Sequence, residues 1–180
     1  MTTQPRSRST DQRFYGVFEG IVTSVEDPLN EGRVKLTFPW FHDKMESELA
    51  PVMQFFAGPD HGSFFVPEVG SLVLCAARHG DLRHPIVIGC LYNGKDKPNS
   101  DHVRKREIAS VNGHKLTMID SNGDSAGGVI LEDASGCKVI LSSTGHVVIK
   151  AVGALTLEAP HIRFRGAGFN RVLTLNNNPI

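Results

Sequence analysis

Cysteine is scarce in this chain: Cys75, Cys90 and Cys137 are all that its 180 residues contain. Their number is odd, they lie far apart and no CxxC pair occurs, which argues against a disulfide framework or a thiolate metal site. Each has apolar neighbours and is expected to be a small buried hydrophobe in a reduced compartment. Surplus charge is also missing. Nineteen Lys and Arg balance nineteen Asp and Glu, so the chain as a whole has no basic excess to draw nucleic acid or anionic membrane. No apolar run approaches membrane-spanning length, and the opening MTTQPRSRSTDQR lacks the apolar core of a secretory signal. Convincing helical periodicity is absent too. Eighteen glycines and ten prolines point to many turns and an all-β chain.

The patterns of common catalytic sites are likewise lacking. No GxSxG elbow, HExxH helix or phosphate-cradling glycine loop occurs. His79, Asp81 and His84 gather around one turn, where solvation accounts for them better than a metal or acid-base role. Asp120, Asn122 and Asp124 in DSNGDS resemble half of a calcium loop without its closing glutamate, and a hairpin turn explains them. The expectation is a non-enzyme with no catalytic residue, no metal and no cofactor.

What the chain does have is strand pattern. Within 113–164, Gly128, Gly136, Gly145 and Gly153 fall eight or nine residues apart and each opens an alternating segment. Val129, Leu131, Cys137, Val139, Leu141, Val147, Ile149, Leu155 and Leu157 share one face of successive strands. Glu132, Lys138, Ser142, His146, Lys150, Thr156 and Glu158 take the other, with Ile130, Ile140 and Val148 as apolar exceptions. Nothing local covers the apolar face, and a lone ladder exposes both that face and its edges. It either folds back on the preceding domain as a sandwich or buries its face against identical ladders around a common axis. The segments are short, evenly spaced and poor in the long loops of a Greek key. That favours the second solution, an obligate oligomer.

The first half reads differently. GVFEGIVTSVED is a strand, PLNEG a turn and RVKLTFPW the returning strand, stopped by Pro39. ELAPVMQFFAG is a third strand candidate, LVLCAA a central strand with both faces apolar, and HPIVIGCLYN a fifth. Trp40, the sole tryptophan, is expected to anchor a small core. Five short strands in roughly eighty residues fit a small Greek-key barrel of OB type, with an SH3-like barrel as the alternative. The aromatics cluster as Phe38, Trp40, Phe41 and as Phe55, Phe56, Phe64, Phe65. That grouping reads as core and contact surface rather than as a stacking groove for single strands.

At this point the residues carry a resemblance. Gly20-Ile21-Val22, Gly32-Arg33-Val34-Lys35-Leu36, Phe38-Pro39-Trp40, Ala57-Gly58, Pro67-Glu68-Val69-Gly70, Gly80-Asp81 and Pro85 to Asn93 resemble, in that order, the OB domain of the phage baseplate assembly protein V and VgrG spike family. The strands after Gly113 are similar, more loosely, to that family's trimeric β-helix. The resemblance implies a flexible leader at 1–13, an OB domain at 14–94, a linker at 95–109, an intertwined β-helix spike at 110–175 and a tip at 176–180. The linker's Arg104, Lys105 and Arg106 are partly offset by Asp96, Asp101 and Glu107, so they are read as solvated, with no nucleic acid. A lysozyme domain, carried at this joint by some members, has no room here.

By the same resemblance the chain is a homotrimer whose core holds Val129, Leu131, Val139, Leu141, Val147, Ile149, Leu155, Leu157, Ile162 and Phe164. Baseplate hub and tube proteins are implied partners at the OB base. His161 lacks the HxH pairing of some metal-tipped spikes, which leaves Asn176, Asn177, Asn178, Pro179 and Ile180 to contact a separate PAAR-like tip protein. The implied setting is assembly in the cytoplasm into a phage tail or injection-particle baseplate that touches a target membrane transiently.

Overall fold

A computed structural model describes residues 13–100, 102–121 and 127–174. Every regular element among them is a strand, and they divide into two compact units, Met1–Lys97 and Pro98–Ile180. In the first unit β1 (Val17–Ser24), β2 (Lys35–Phe38), β3 (His42–Glu46), β6 (Leu72–Arg78) and β7 (Asp81–Cys90) form an antiparallel sheet in the order β3-β2-β1-β6-β7. A two-stranded hairpin, β4 (Ala57–Gly58) with β5 (His61–Gly62), lies between β3 and β6 in sequence.

The sheet is closed by a segment that is not a regular strand. Ala50 exchanges both backbone hydrogen bonds with Val34, at 3.0 and 2.7 Å, while the N–H of Val87 donates to Pro51 and that of Met53 to Val87. The chain at 50–53 therefore joins the start of β2 to β7. This corrects the third strand expected over 48–58: Pro51 has no N–H to give, so pairing there breaks into isolated bridges, and the regular third strand is His42–Glu46.

Alternation puts Val34, Leu36 and Phe38 inward from β2 and its approach, opposite Val22, Val73, Cys75, Leu82, Val87 and Ala50, and all nine are buried. Ser47, also buried, accepts the N–H of Leu36 and donates to the carbonyl of Glu48, so the polar group costs little there. The turn between β1 and β2 is organised by Asp27. Its carboxylate accepts the N–H groups of Leu29, Glu31 and Arg33 and the Arg33 guanidinium, at 2.6 to 3.1 Å. These bonds, the Arg33 side chain first, hold the Asp27 carboxyl well below the usual carboxylate range.

The cysteines differ from expectation. Cys75 is buried, and loss of water pushes its thiol up to about 12, but Cys90 is exposed and Cys137 half-buried. Trp40 is half-exposed rather than central. It stacks edgewise on Phe14 and near Phe18, Phe38 and Phe41, and its indole N–H donates to the Glu19 carbonyl at 2.7 Å.

The second unit is a meander. β8 (Lys105–Ala109), β9 (Lys115–Ile119), β10 (Gly128–Glu132), β11 (Lys138–Ser142) and β12 (Val147–Lys150) pair antiparallel in chain order, each with the next. β8 thus occupies part of the stretch read from sequence as the linker. Gly113, Gly136 and Gly145 turn the chain with φ of 92°, 93° and 83°, a region glycine enters without strain. A separate hairpin follows, β13 (His161–Gly166) with β14 (Phe169–Thr174). Of DSNGDS, Asn122 and Asp124 lie outside the described residues, as does the tip segment Asn176 to Ile180.

Candidate functional site

The register of the ladder builds its surface. One row runs Ile108, Leu116, Leu131, Val139, Ile149 across the five strands, and the next runs Arg106, Met118, Val129, Leu141, Val147. Residues two apart on a strand share a face, so these ten positions form a single surface, apolar except for Arg106. That surface is uncovered: its apolar residues range from 36% exposed at Leu116 and Val139 to 64% at Val147. Arg106 at its margin pairs with Asp120.

The opposite face has its own polar network. Glu107, with a side chain only 2% exposed, takes the Lys105 ammonium and the Thr117 hydroxyl, both at 2.9 Å, and the Asn99 amide at 2.8 Å. The Lys105 contact first, then Thr117, lowers its pKa. Ile130 and Ile140 are half-buried on this face, and Lys138 bridges Glu132 at 2.7 Å. The two faces are thus unequal: one holds a polar network with Val148 exposed beside it, the other is a nearly continuous exposed apolar surface.

Close backbone approach fixes the strands. A Cβ on Gly128 would stand 2.4 Å from the Leu141 carbonyl oxygen, so glycine is required where β10 meets β11. At the 133–137 turn, Asp133 accepts the Ser135 hydroxyl and the N–H groups of Ser135 and Cys137, which lowers its pKa.

Of the residues singled out in sequence, Val129, Leu131, Val139, Leu141, Val147 and Ile149 lie together on the uncovered face. Leu155 and Leu157 are exposed in a segment, 151–160, that belongs to no strand, although Leu155 borders the same hollow as Leu131, Val139 and Ile149. Ile162 and Phe164 stand on β13 instead. At the His79 turn, Asp81 is engaged by the Arg83 guanidinium at 2.9 and 3.1 Å, which brings its pKa down to about 2. No cluster of metal-ligating side chains occurs among the described residues.

The barrel unit has an apolar surface of its own. Phe55, Phe56, Phe64 and Phe65, flanking the β4–β5 hairpin, are exposed between 53% and 86%. Gln54 holds the loop by donating to the Phe65 carbonyl and accepting its N–H. The sequence grouped them as core and contact surface without separating the two, since apolar type without register does not tell inside from outside, and these four are surface.

Fold and surface define a class: an all-β protein with a closed barrel that buries its own core, and a strand ladder that presents an unburied one. Residues 18–92 match the family described as the type VI secretion system/phage-baseplate injector OB domain. The chain is 37% identical over 102 residues to the type VI secretion system spike proteins VgrG2a and VgrG2b of Pseudomonas aeruginosa, covering 50% of this chain and 12% and 10% of those relatives. It is 37% identical over 68 residues to the type VI secretion system spike protein VgrG3 of Vibrio cholerae, 36% of this chain and 7% of the relative. The chain therefore spans a small fraction of the length of the relatives it matches. Over its barrel the chain carries an OB domain of that injector family and is similar to the VgrG spike proteins.

Proposed function

We propose that the chain is a structural part of the central spike of a contractile injection machine, and that it works as a homotrimer. The observation that carries this reading is the two-row apolar face of β8–β12, uncovered in the single chain. Three such faces turned toward a common axis bury one another, and each half-exposed aliphatic side chain contributes on the order of 1 kcal/mol when its remaining surface leaves water. The resulting prism is stiff, which is the mechanical property a needle requires. Residues 151–160 support the reading further. They carry an alternating apolar pattern, yet belong to no strand within the chain, so neighbouring copies supply the pairing and the needle becomes intertwined there.

In this reading Leu155, Leu157, Ile162 and Phe164 extend the inter-chain core beyond β12. The barrel joins the needle to hub and tube proteins, and Asn176 to Ile180 meet a PAAR-like tip protein. Contraction drives the needle through a target envelope. No bond-making chemistry is asked of any residue. The test is Leu141→Asp, which places a carboxylate from each of three copies in the middle of the apolar face. Light scattering is expected to show the wild type as a trimer and the variant as a monomer. A variant trimer with an unchanged melting temperature would remove the ladder face from the interface.

A further inference from the structure

The leader that precedes the barrel has a lopsided composition. Over residues 1–12, Arg6 and Arg8 stand against a single acid, Asp11, and Pro5 comes directly before Arg6. The place where this segment joins the barrel is defined. The Phe14 N–H donates to the Gly80 carbonyl at 2.9 Å, and the Phe14 ring meets Trp40 and Phe41 edge to face, with centroids 5.8 and 5.3 Å apart. The leader therefore departs from the aromatic corner of the barrel.

Beside that corner is a hollow of about 200 Å³ lined by Glu19, Gly20, Ile21, Pro39, Trp40 and Leu72. Alternation explains why it is on the outside: Val22 and Val73 are buried in the core, so Glu19, Ile21 and Leu72 face the other way. Its lining is apolar apart from Glu19. That carboxylate has no ion pair or hydrogen bond among the described residues. The Trp40 indole N–H is committed to the Glu19 carbonyl, which leaves the ring itself, 49% exposed, as the surface to be recognised.

An indole and a proline beside one carboxylate suit an extended proline–arginine segment. Proline is already extended and packs on an aromatic at little cost in entropy. Guanidinium stacks on indole and pairs with carboxylate, where an ammonium does only the second well. Reach is sufficient. Glu19 lies about 17 Å along β1 from Phe14 at about 3.3 Å per residue. An extended leader covers about 20 Å between Phe14 and Arg8, and about 26 Å between Phe14 and Arg6. A tether this short holds the segment at an effective concentration of about millimolar, so a contact too weak to form between separate molecules is populated within one chain.

We infer that this hollow is a binding site for an extended proline–arginine segment and that the chain's own leader fills it, with Pro5 against Trp40 and with Arg6 and Arg8 at Glu19. The strap covers the aromatic corner and gives the leader a fixed place on the barrel. A segment of another molecule is the competing occupant. The leader is favoured because it departs from the ring that lines the hollow, carries the complementary charge and is tethered within reach. The inference concerns the barrel alone and does not depend on the oligomeric state.

Trp40 is the sole tryptophan, so acrylamide quenching of the full chain's fluorescence reads the hollow directly. A site half filled by its tether about doubles in accessibility when the contact is lost, and Arg6→Gln with Arg8→Gln is expected to raise the quenching constant about twofold. Glu19→Gln does the same, and so does about 1 M salt on the wild type, where the Debye length is about 3 Å. Lys95→Gln with Lys97→Gln, an equal charge change in an exposed segment, leaves the constant as it was. Glu19→Arg opens the hollow, and Arg6→Glu with Arg8→Glu in that background restores the protection, which a merely structural role of Glu19 does not. Unchanged quenching in the Arg6 and Arg8 glutamine variant, or failure of the reversed charges to restore protection, would overturn the assignment. Protection that disappears on dilution would give the hollow to another molecule and overturn it as well.

Discussion

The barrel and the ladder are built from the same material, short antiparallel strands with apolar and polar residues in alternation, and they reach opposite ends. In the barrel the sheet curls until the 50–53 segment ties β2 to β7, and Val22, Leu36, Phe38, Val73 and Val87 lose essentially all contact with water. In the ladder five strands of four or five residues follow one another without curling back, and Leu131, Leu141, Val147 and Ile149 remain about half in solvent. Closure depends on a connection long enough to cross the sheet. The barrel has one in residues 47–71; three of the ladder's four connections are tight turns at Gly113, Gly136 and Gly145. In the proposed trimer the ladder closes its sheet on copies of itself instead.

Four substitutions break or sharpen this contrast, beginning with the largest expected effect. Phe38→Ala empties the centre of the barrel and is expected to cost about 3–5 kcal/mol of barrel stability. Trp40, whose ring lies 6.4 Å from that of Phe38, reports the loss by fluorescence in a urea titration, while the oligomer mass stays unchanged. If the mass falls as well, the two units are not independent. Gly128→Val drives a side chain into the Leu141 carbonyl and is expected to cost about 1–3 kcal/mol, all of it in the ladder. Its signature is an earlier dissociation of the oligomer in denaturant with no change in the Trp40 transition.

Asp27→Asn acts on the barrel alone and through pH. The folded carboxyl titrates below its ordinary value of about 3.9, so its contribution is complete above that pH and is lost as pH falls from there through the lower folded value. Thermal melts of the wild type monitored at Trp40 are expected to fall from about pH 4 downward, and the variant should start lower and show a flatter acid limb. A variant curve parallel to the wild type would deny Asp27 its role in the turn. Lys138→Gln is expected to be the mildest. Its bridge to Glu132 is about one-third exposed on both sides, and such pairs are worth about 0.2–1 kcal/mol, less in salt. A loss of oligomer in this variant would place the polar face at the interface instead of the apolar one.

Much of the architecture was legible in the sequence because alternation and turn residues agree. Val34, Leu36 and Phe38 alternate with Lys35 and Thr37, and they define β2 without help from the rest of the chain. Gly136 and Gly145 mark the ladder turns in the same way. The stretch around Pro51 was not legible as a closing segment, since its apolar run reads as a strand until Pro51 is seen to have no N–H to pair. Leu155 and Leu157 alternate as well as Val139 and Leu141 do, yet no strand forms there within the chain. Pattern records the tendency to pair but not which chain supplies the partner. The phenylalanines around β4 and β5 were legible only as core or contact surface, because four apolar residues in pairs have no period that tells inside from outside.

The central claim is that the ladder's apolar face is buried between copies, and the mass of the intact protein in solution tests it most directly. Light scattering over a hundredfold range of concentration is expected to give three times the 19.6 kDa of one chain, without drift toward smaller species on dilution. A concentration-independent mass of one chain would contradict the account, because the two apolar rows would then stand open to water in the functioning molecule.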